Sequence, residues 1–167
     1  MSLLPILRFP DPRLKQVAVR VECIDDKLRR LARDMAETMY EAPGIGLAAT
    51  QVDIHQQLIV IDASETRDQL LTLINPVILE QNGLQVCEEG CLSVPGIYDK
   101  VARAEHVVVR YLDLAGEEQT VEAVGLLAVC LQHEIDHLQG QVFVEHLSPL
   151  KQLRIRNKLA KQARITA

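Results

Sequence analysis

The sequence predicts an α+β domain: antiparallel or mixed β-sheets packed around a buried central helix, with a second helix near the N-terminus and a third at the C-terminus. Three observations predict it. An amphipathic helical period covers residues 25–41, β-branched runs separated by turn signals follow between residues 58 and 123, and a continuously apolar helical segment occupies 124–138. A chain of 167 residues suits one domain, 1–167, whose residues 146–167 form a basic terminal helix.

The first helix is expected from Asp25 to Glu41, where Ile24, Leu28, Leu31, Met35 and Met39 form an apolar stripe and Pro43-Gly44 stops the period. The small-residue segment Gly44-Ile45-Gly46-Leu47-Ala48-Ala49-Thr50-Gln51 reads as neither stable helix nor packed strand. Leu58 to Asp62 reads as a buried strand and Ser64 to Asp68 as a polar turn. A second strand, Leu71 to Leu79, is interrupted by Asn75-Pro76, which places that point at an edge or a bend. Gln81-Asn82-Gly83 signals a turn, and Gly and Pro mark Glu89 to Gly96 as irregular. His106 to Leu112 and Gln119 to Ala123 form a hairpin around Asp113 to Glu118. The apolar helix then runs from Val124 to Leu138 and ends at Gly140, and Ser148-Pro149 supplies an N-cap and first-turn proline for the last helix.

An apolar fraction of 48% with 25% charge excludes a disordered or collagen-like chain. The apolar runs are short, and the N-terminus lacks the pattern of a secretory signal, so the expected location is cytoplasmic and off the membrane. Cys23, Cys87, Cys91 and Cys130 are then expected as free thiols, most of them small core residues. The net charge of −5 hides an asymmetry. From His146 onwards the chain carries six basic residues and no acidic one, which leaves 12 basic against 23 acidic residues elsewhere, a net −11. Such a basic face is either simply solvated or turned towards a polyanion, nucleic acid first among them.

The chemistry is carried by His133-Glu134-Ile135-Asp136-His137. On a helix, side chains four apart share a face with Cβ atoms roughly 5–6 Å apart, so two imidazoles can grip one divalent ion. Glu134 then lies beside a water on that ion, placed to take its proton. A polar pattern at the end of so apolar a helix would be costly without a metal to compensate it. Two imidazoles leave such an ion short of a ligand. His55, His106 and His146 are candidates for the third, as is Cys91, which lies between flexible Gly90 and the Pro95-Gly96 pair. Nearby, Glu89 and Arg103 are hypothesised to pair and brace the Cys91 segment.

Three segments, Gly44 to Gln51, Glu89-Gly90-Cys91-Leu92-Ser93 and Gln132 to His137, resemble in order and spacing the three signature motifs of the peptide deformylases. The likeness extends to Pro10-Asp11-Pro12-Arg13-Leu14 and to the terminal helix. It implies that Cys91, His133 and His137 hold one divalent ion with a water in the fourth place. Fe²⁺ is the expected physiological ion, and Zn²⁺ or Ni²⁺ can occupy the site, although two imidazoles and a thiolate by themselves suggest Zn²⁺. The resemblance further implies that Glu134 is general base and acid in removing the formyl group from N-terminal formyl-methionine, with release of formate. The Gln51 side-chain amide and the Leu92 backbone N–H would support the charge that develops on the formyl oxygen. Main chain at Ile45, Gly46 and Gly90 would hold an extended peptide. Ile45, Leu126, Val129, Cys130 and the edge of His133 would line the methionine pocket. Cys87 and Tyr98 stand where relatives carry an aliphatic residue near that pocket and an Arg near its entrance, which bears on pocket shape. The partners implied are N-formylated nascent peptides and, through the basic helix, the ribosome near the nascent-chain exit, with the protein acting as a monomer. Two rival functions remain: a two-histidine metallopeptidase, and a non-catalytic metal-binding protein of the ribosome.

Overall fold

The computed structural model describes residues 2–166, with side chains as far as Arg164. Helix α1 spans Asp26–Glu41 and opens on Asp25, whose carboxylate accepts the Leu28 N–H at 2.9 Å. Seven strands follow: β1 (Gly46–Ala48), β2 (Leu58–Ile61), β3 (Leu71–Asn82), β4 (Gln85–Cys91), β5 (Val94–Arg103), β6 (His106–Leu112) and β7 (Glu118–Val124). Five of them form one sheet in the order β1-β2-β3-β6-β7, and β4 and β5 form a separate hairpin. Every pairing of these strands is antiparallel. Helix α2 (Gly125–Leu138) leads directly out of β7, and helix α3 (Pro149–Thr166) closes the chain.

Period-2 alternation in β2 decides how the layers stack. Leu58 and Val60 pack with Leu28, Met35 and Met39 of α1, while Ile59 and Ile61 pack with Ala128, Leu131 and Ile135 of α2. All four strand residues are fully buried, so the sheet lies between the two helices. Helix α2 is therefore central, with ten of its 14 residues buried. Its end is fixed by a paired cap. Gly140 N–H donates to His137 O at 3.1 Å, Gln141 N–H donates to Asp136 O at 2.9 Å, and Gly140 takes φ +79°. Ile155 and Leu159 of α3 pack with Phe9, Val94, Ile97 and Phe143, so the basic helix also carries core residues.

Three expectations are corrected, those for the segment after α1, for residues 89–96 and for the burial of the cysteines, while the bend expected at Asn75-Pro76 is borne out. The segment after α1 does pair: Gly46–Ala48 is a buried edge strand against β2, followed by a 3₁₀ turn at Ala49–Val52, because small side chains fit where α1 and α2 close on the sheet. Asn75-Pro76 lies within β3, which has neighbours on both sides. A register shift there and φ +51° at Asn75 make it a bend, and the Asn75 side chain pairs with Val21 N–H and C=O at 2.8 and 2.9 Å. Residues 89–96 are mostly strand, since β4 and β5 turn through Leu92-Ser93 alone, with a register shift at Glu89/Cys91 taking up Gly90. All four cysteines are free, but Cys130 is the buried one and Cys23 is exposed.

Candidate metal centre

Helix α2 projects His133 and His137 from one face, and hairpin β4–β5 brings Cys91 to meet them. The imidazole Nε2 atoms lie 3.2 Å apart, and Cys91 Sγ lies 3.3 Å from His137 Nε2. All three donor atoms fall within 4.8 Å of one another. A tetrahedral ion with nitrogen at ~2.1 Å and sulfur at ~2.3 Å would hold such donors roughly 3.4–3.6 Å apart, so this donor set fits one with small adjustment. Both histidines are buried, at 7% and 1% exposure. Burial, with the charges of His133 and Arg103, holds His137 well below the ordinary histidine range, whereas at His133 burial is outweighed by Glu134, Cys91 and Glu89, which push it well above that range; a bound ion requires both rings to be neutral. His55, His106 and His146 take no part in this cluster.

His133 is held from behind, whereas His137 Nδ1 is buried without a hydrogen-bond partner among the described residues. His133 Nδ1 meets Glu89 at 2.8 Å, and Glu89 takes two bonds from Arg103, at 2.8 and 2.9 Å. The pair expected from the sequence is thus present, and Arg103 reaches further, to Asp136 at 2.6 Å. Arg103 therefore ties the hairpin that bears Cys91 to the helix that bears both histidines. Burial pushes Glu89 up, but Arg103 and His133 outweigh it and bring the carboxyl down to about 2. Asp136 also meets His146 at 2.9 Å. Gln132, next to His133, pairs with the backbone of Ala104 through both amide atoms, at 2.9 and 3.0 Å, and stitches α2 to the end of the hairpin.

Glu134 lies beside this cluster, 4% exposed, with Oε2 3.9 Å from His133 Nε2 and Oε1 without a hydrogen-bond partner among the described residues. Burial drives it upwards, His133 pulls it back and Glu89 adds to the rise, leaving it at about 7, where a carboxyl can both take and return a proton. It is packed against Gly46: a Cβ there would lie 2.5 Å from Glu134 Oε2. Gln51, 1% exposed, accepts the Ala48 N–H on Oε1 at 2.9 Å and turns Nε2 towards Cys91 Sγ at 3.5 Å.

A cleft of about 940 Å³ opens over the cluster. Ile45, Gly46, Gly90, Leu92, Leu126, Val129 and Cys130 all line it, as do Cys91, His133 and Glu134, so the residues expected to meet a ligand are brought together. Gln51, His137, Arg103 and Asp136 do not line it. Tyr98 does line the cleft, packed so closely over Gly90 that a Cβ there would sit 2.5 Å from its ring. Cys87 does not line it. Its thiol turns to Gln85 Oε1 at 3.6 Å, on the face of β4 that it shares with Glu89, so it does not shape the cleft directly. Burial and the charges of Glu134 and Glu89 push the Cys130 thiol up to about 12, which makes it an apolar wall.

Sequence reasoning missed two supports. An N-terminal strap crosses beneath the cleft, where Leu7 N–H donates to Gln51 O and Phe9 N–H to Ser93 O, both at 2.7 Å, and its Leu3, Leu4, Ile6 and Arg8 join the lining. Nothing in its composition signals this. The other is a clasp behind Ile45. Tyr40 OH donates to Asp62 at 2.5 Å, Asp62 N–H donates to Ile45 O at 2.8 Å, and Arg67 lies over the Tyr40 ring and donates to Gly44 O. The signal available was a charged turn directly after a buried strand.

A helix-borne histidine pair, a strand-borne cysteine and a buried carboxyl group on an α+β scaffold define the class of metal-dependent hydrolases. The family model described as polypeptide deformylase matches residues 3–153, and the chain belongs to that family. Among its relatives, peptide deformylase 2 of Nitrosomonas europaea is 62% identical over 164 residues, which cover 98% of this chain and 89% of that one. The peptide deformylase of Neisseria gonorrhoeae is 58% identical over 99% of both. A crystal structure of a peptide deformylase from Legionella pneumophila superposes with a TM-score of 0.95 at 47% identity, over 99% of this chain and 98% of that chain. That of the Ehrlichia chaffeensis peptide deformylase in complex with actinonin gives 0.94 at 41% identity, over 97% and 98%.

Proposed function

We propose that this chain hydrolyses the formyl group from the N-terminal formyl-methionine of newly made polypeptides, releasing formate. The observation that carries the reading is the meeting of Cys91, His133 and His137 beside the unpartnered Glu134 carboxylate, on the floor of a cleft edged by β1 and β4. Cys91, His133 and His137 would hold a single divalent ion, Fe²⁺ in the cell, with Zn²⁺ or Ni²⁺ as substitutes. When bound, that ion supplies Lewis acidity, making water nucleophilic near neutral pH and polarising a carbonyl oxygen.

The chain's own residues do the rest. Glu134 accepts a proton from the attacking water and returns it to the leaving amine, a cycle suited to a carboxyl poised at about 7. The Gln51 Nε2–H and the Leu92 backbone N–H donate to the formyl oxygen as charge gathers there, and neutral donors do this without trapping a ground-state anion. Backbone at Ile45, Gly46 and Gly90 adds the substrate as an extended strand between two free edges. Leu126, Val129 and Cys130 form the apolar slot for the methionine thioether. Glu89 and Arg103 hold His133 in the orientation and tautomer a ligand requires.

We place the whole chain in one deformylase domain, acting as a monomer in the cytoplasm, with the exposed cations of α3 meeting the ribosome near the nascent-chain exit. No helix of the described residues is long and apolar enough to cross a membrane. The test is formate release from a formyl-Met peptide by protein purified without oxygen, with its metal content measured alongside. Glu134→Ala should keep the metal and lose at least about 10²-fold in kcat. Activity that survives that change rejects the mechanism. Casein cleavage instead of formate release would favour the peptidase.

A further inference from the structure

Ser93 belongs to the Cys91 motif, yet its side chain neither lines the cleft nor joins the donor cluster. It is fully buried, and three of its polar groups are committed. Its carbonyl accepts Phe9 N–H at 2.7 Å, its N–H donates to Cys91 Sγ at 3.4 Å, and its hydroxyl oxygen accepts Gln51 Nε2–H at 3.0 Å. The last contact decides what the Gln51 amide can do.

A planar amide has two diverging N–H bonds and one carbonyl. Here the carbonyl end is fixed by Ala48 N–H, so a flipped amide would set donor against donor. With Oε1 held there and one N–H spent on Ser93, the plane is fixed. The second N–H then points to the Cys91 side, where Sγ lies 3.5 Å away. We propose that Ser93 is a positioning residue: its hydroxyl locks the rotation of the Gln51 amide so that the second N–H is held on the Cys91 side, where the formyl oxygen would react. Without the hydroxyl, the Nε2 end has only a weak sulfur acceptor, and donor and substrate must be aligned anew in each turnover. Preorganisation of this kind acts on the transition state more than on the bound substrate.

The inference rests on the deformylase reading, so the experiment separates the two. Wild-type protein that releases no formate would defeat that reading, whereas the amide signal below answers for Ser93 by itself. Ser93→Ala leaves every backbone bond of the residue in place. In the Zn²⁺-loaded protein, the Gln51 side-chain NH₂ resonances should move towards free-amide positions and exchange faster with water in Ser93→Ala. In the Co²⁺-loaded protein, the thiolate-to-metal band should stay where it is. In turnover, kcat should fall about 10-fold, short of the 10²–10³ that losing a donor outright costs, with KM within about two-fold. Adding Ser93→Ala to Gln51→Ala should cost less than about two-fold more, because interacting residues are not additive. Ser93→Thr, which keeps the hydroxyl, should restore the amide resonances. Unchanged Gln51 resonances in Ser93→Ala, or a full additional loss in the Gln51→Ala background, overturns the proposal. So does a displaced Co²⁺–thiolate band, which would show that Ser93 acts through Cys91 instead.

Discussion

Single atoms set the tolerances of this site. Gly46 is the clearest case, because the space its missing Cβ leaves is filled by the Glu134 carboxylate. Gly46→Ala should leave metal binding intact, since the three atoms nearest an added Cβ all belong to Glu134, but lower formate release at least about 10²-fold, the lower end of what a general base contributes. Kinetics beside metal analysis would show the split, and near-normal turnover would mean that Glu134 has room to move. Arg103 offers the complementary test. Its removal strands two buried carboxylates, Glu89 and Asp136, and frees His133 to turn, so Arg103→Ala should weaken metal affinity about 10–100-fold by chelator competition. Unchanged metal content and rate would dismiss the bracing role. The sequence made the Glu89–Arg103 pair readable because both flank the Cys91 segment. Asp136 escaped notice because its partner lies 33 residues away, and inside the motif it looked like a helix residue without a task.

At the scale of elements, the helices were legible and the hairpin β4–β5 was not. Each helix has a legible boundary residue, Asp25 before α1, Gly140 after α2, and Ser148, whose Oγ meets Lys151 N–H at 3.3 Å, before α3, and to this α1 adds its amphipathic period and α2 its continuous apolar run. The hairpin turns on Leu92-Ser93, while Gly90, Pro95 and Gly96 lie within the strands, so local signals pointed the wrong way. Cys91 could be joined to the histidines only by family resemblance, for no local pattern says which strand crosses which helix. The clasp of α1 to β2 allows a prediction about acid. Burial raises the Asp62 carboxyl, but hydrogen bonds from Ser64 and Tyr40 prevail and hold it below the ordinary value of 3.8. The stabilisation is therefore complete above pH 3.8 and drains away as pH falls through the lower folded value. Asp62→Asn should unfold more easily than wild type at pH 7, and the difference should narrow below pH 4 in denaturant titrations. A gap that stays constant with pH would assign the loss to packing.

For the molecule as a whole, charge and packing meet in α3. Its Ile155 and Leu159 sit in the core, whereas Arg154, Lys158, Lys161 and Arg164 are exposed. Deleting the helix would therefore confound docking with folding. Changing those four residues to Gln avoids this: the melting temperature and turnover of a short formyl-peptide should hold. Ribosome binding should weaken and become less sensitive to salt, because fewer counterions are released. Sedimentation with ribosomes across a salt series checks it, and unaltered binding would return the basic face to the solvent. The charge asymmetry was visible in composition, but the double duty of the helix was not, since Ile155 and Leu159 acquire partners only when Phe9 and the hairpin arrive. The strap that brings Phe9 there also has a practical side. Its Leu3, Leu4 and Ile6 form part of the cleft wall, and Ser2 N–H is pinned to Asp34 at 3.1 Å on α1. An affinity tag joined at this end would emerge next to that wall and should hinder a long polypeptide more than a dipeptide. Tagged protein assayed only on short substrates would look fully competent while being partly shut to the polypeptides it exists to process.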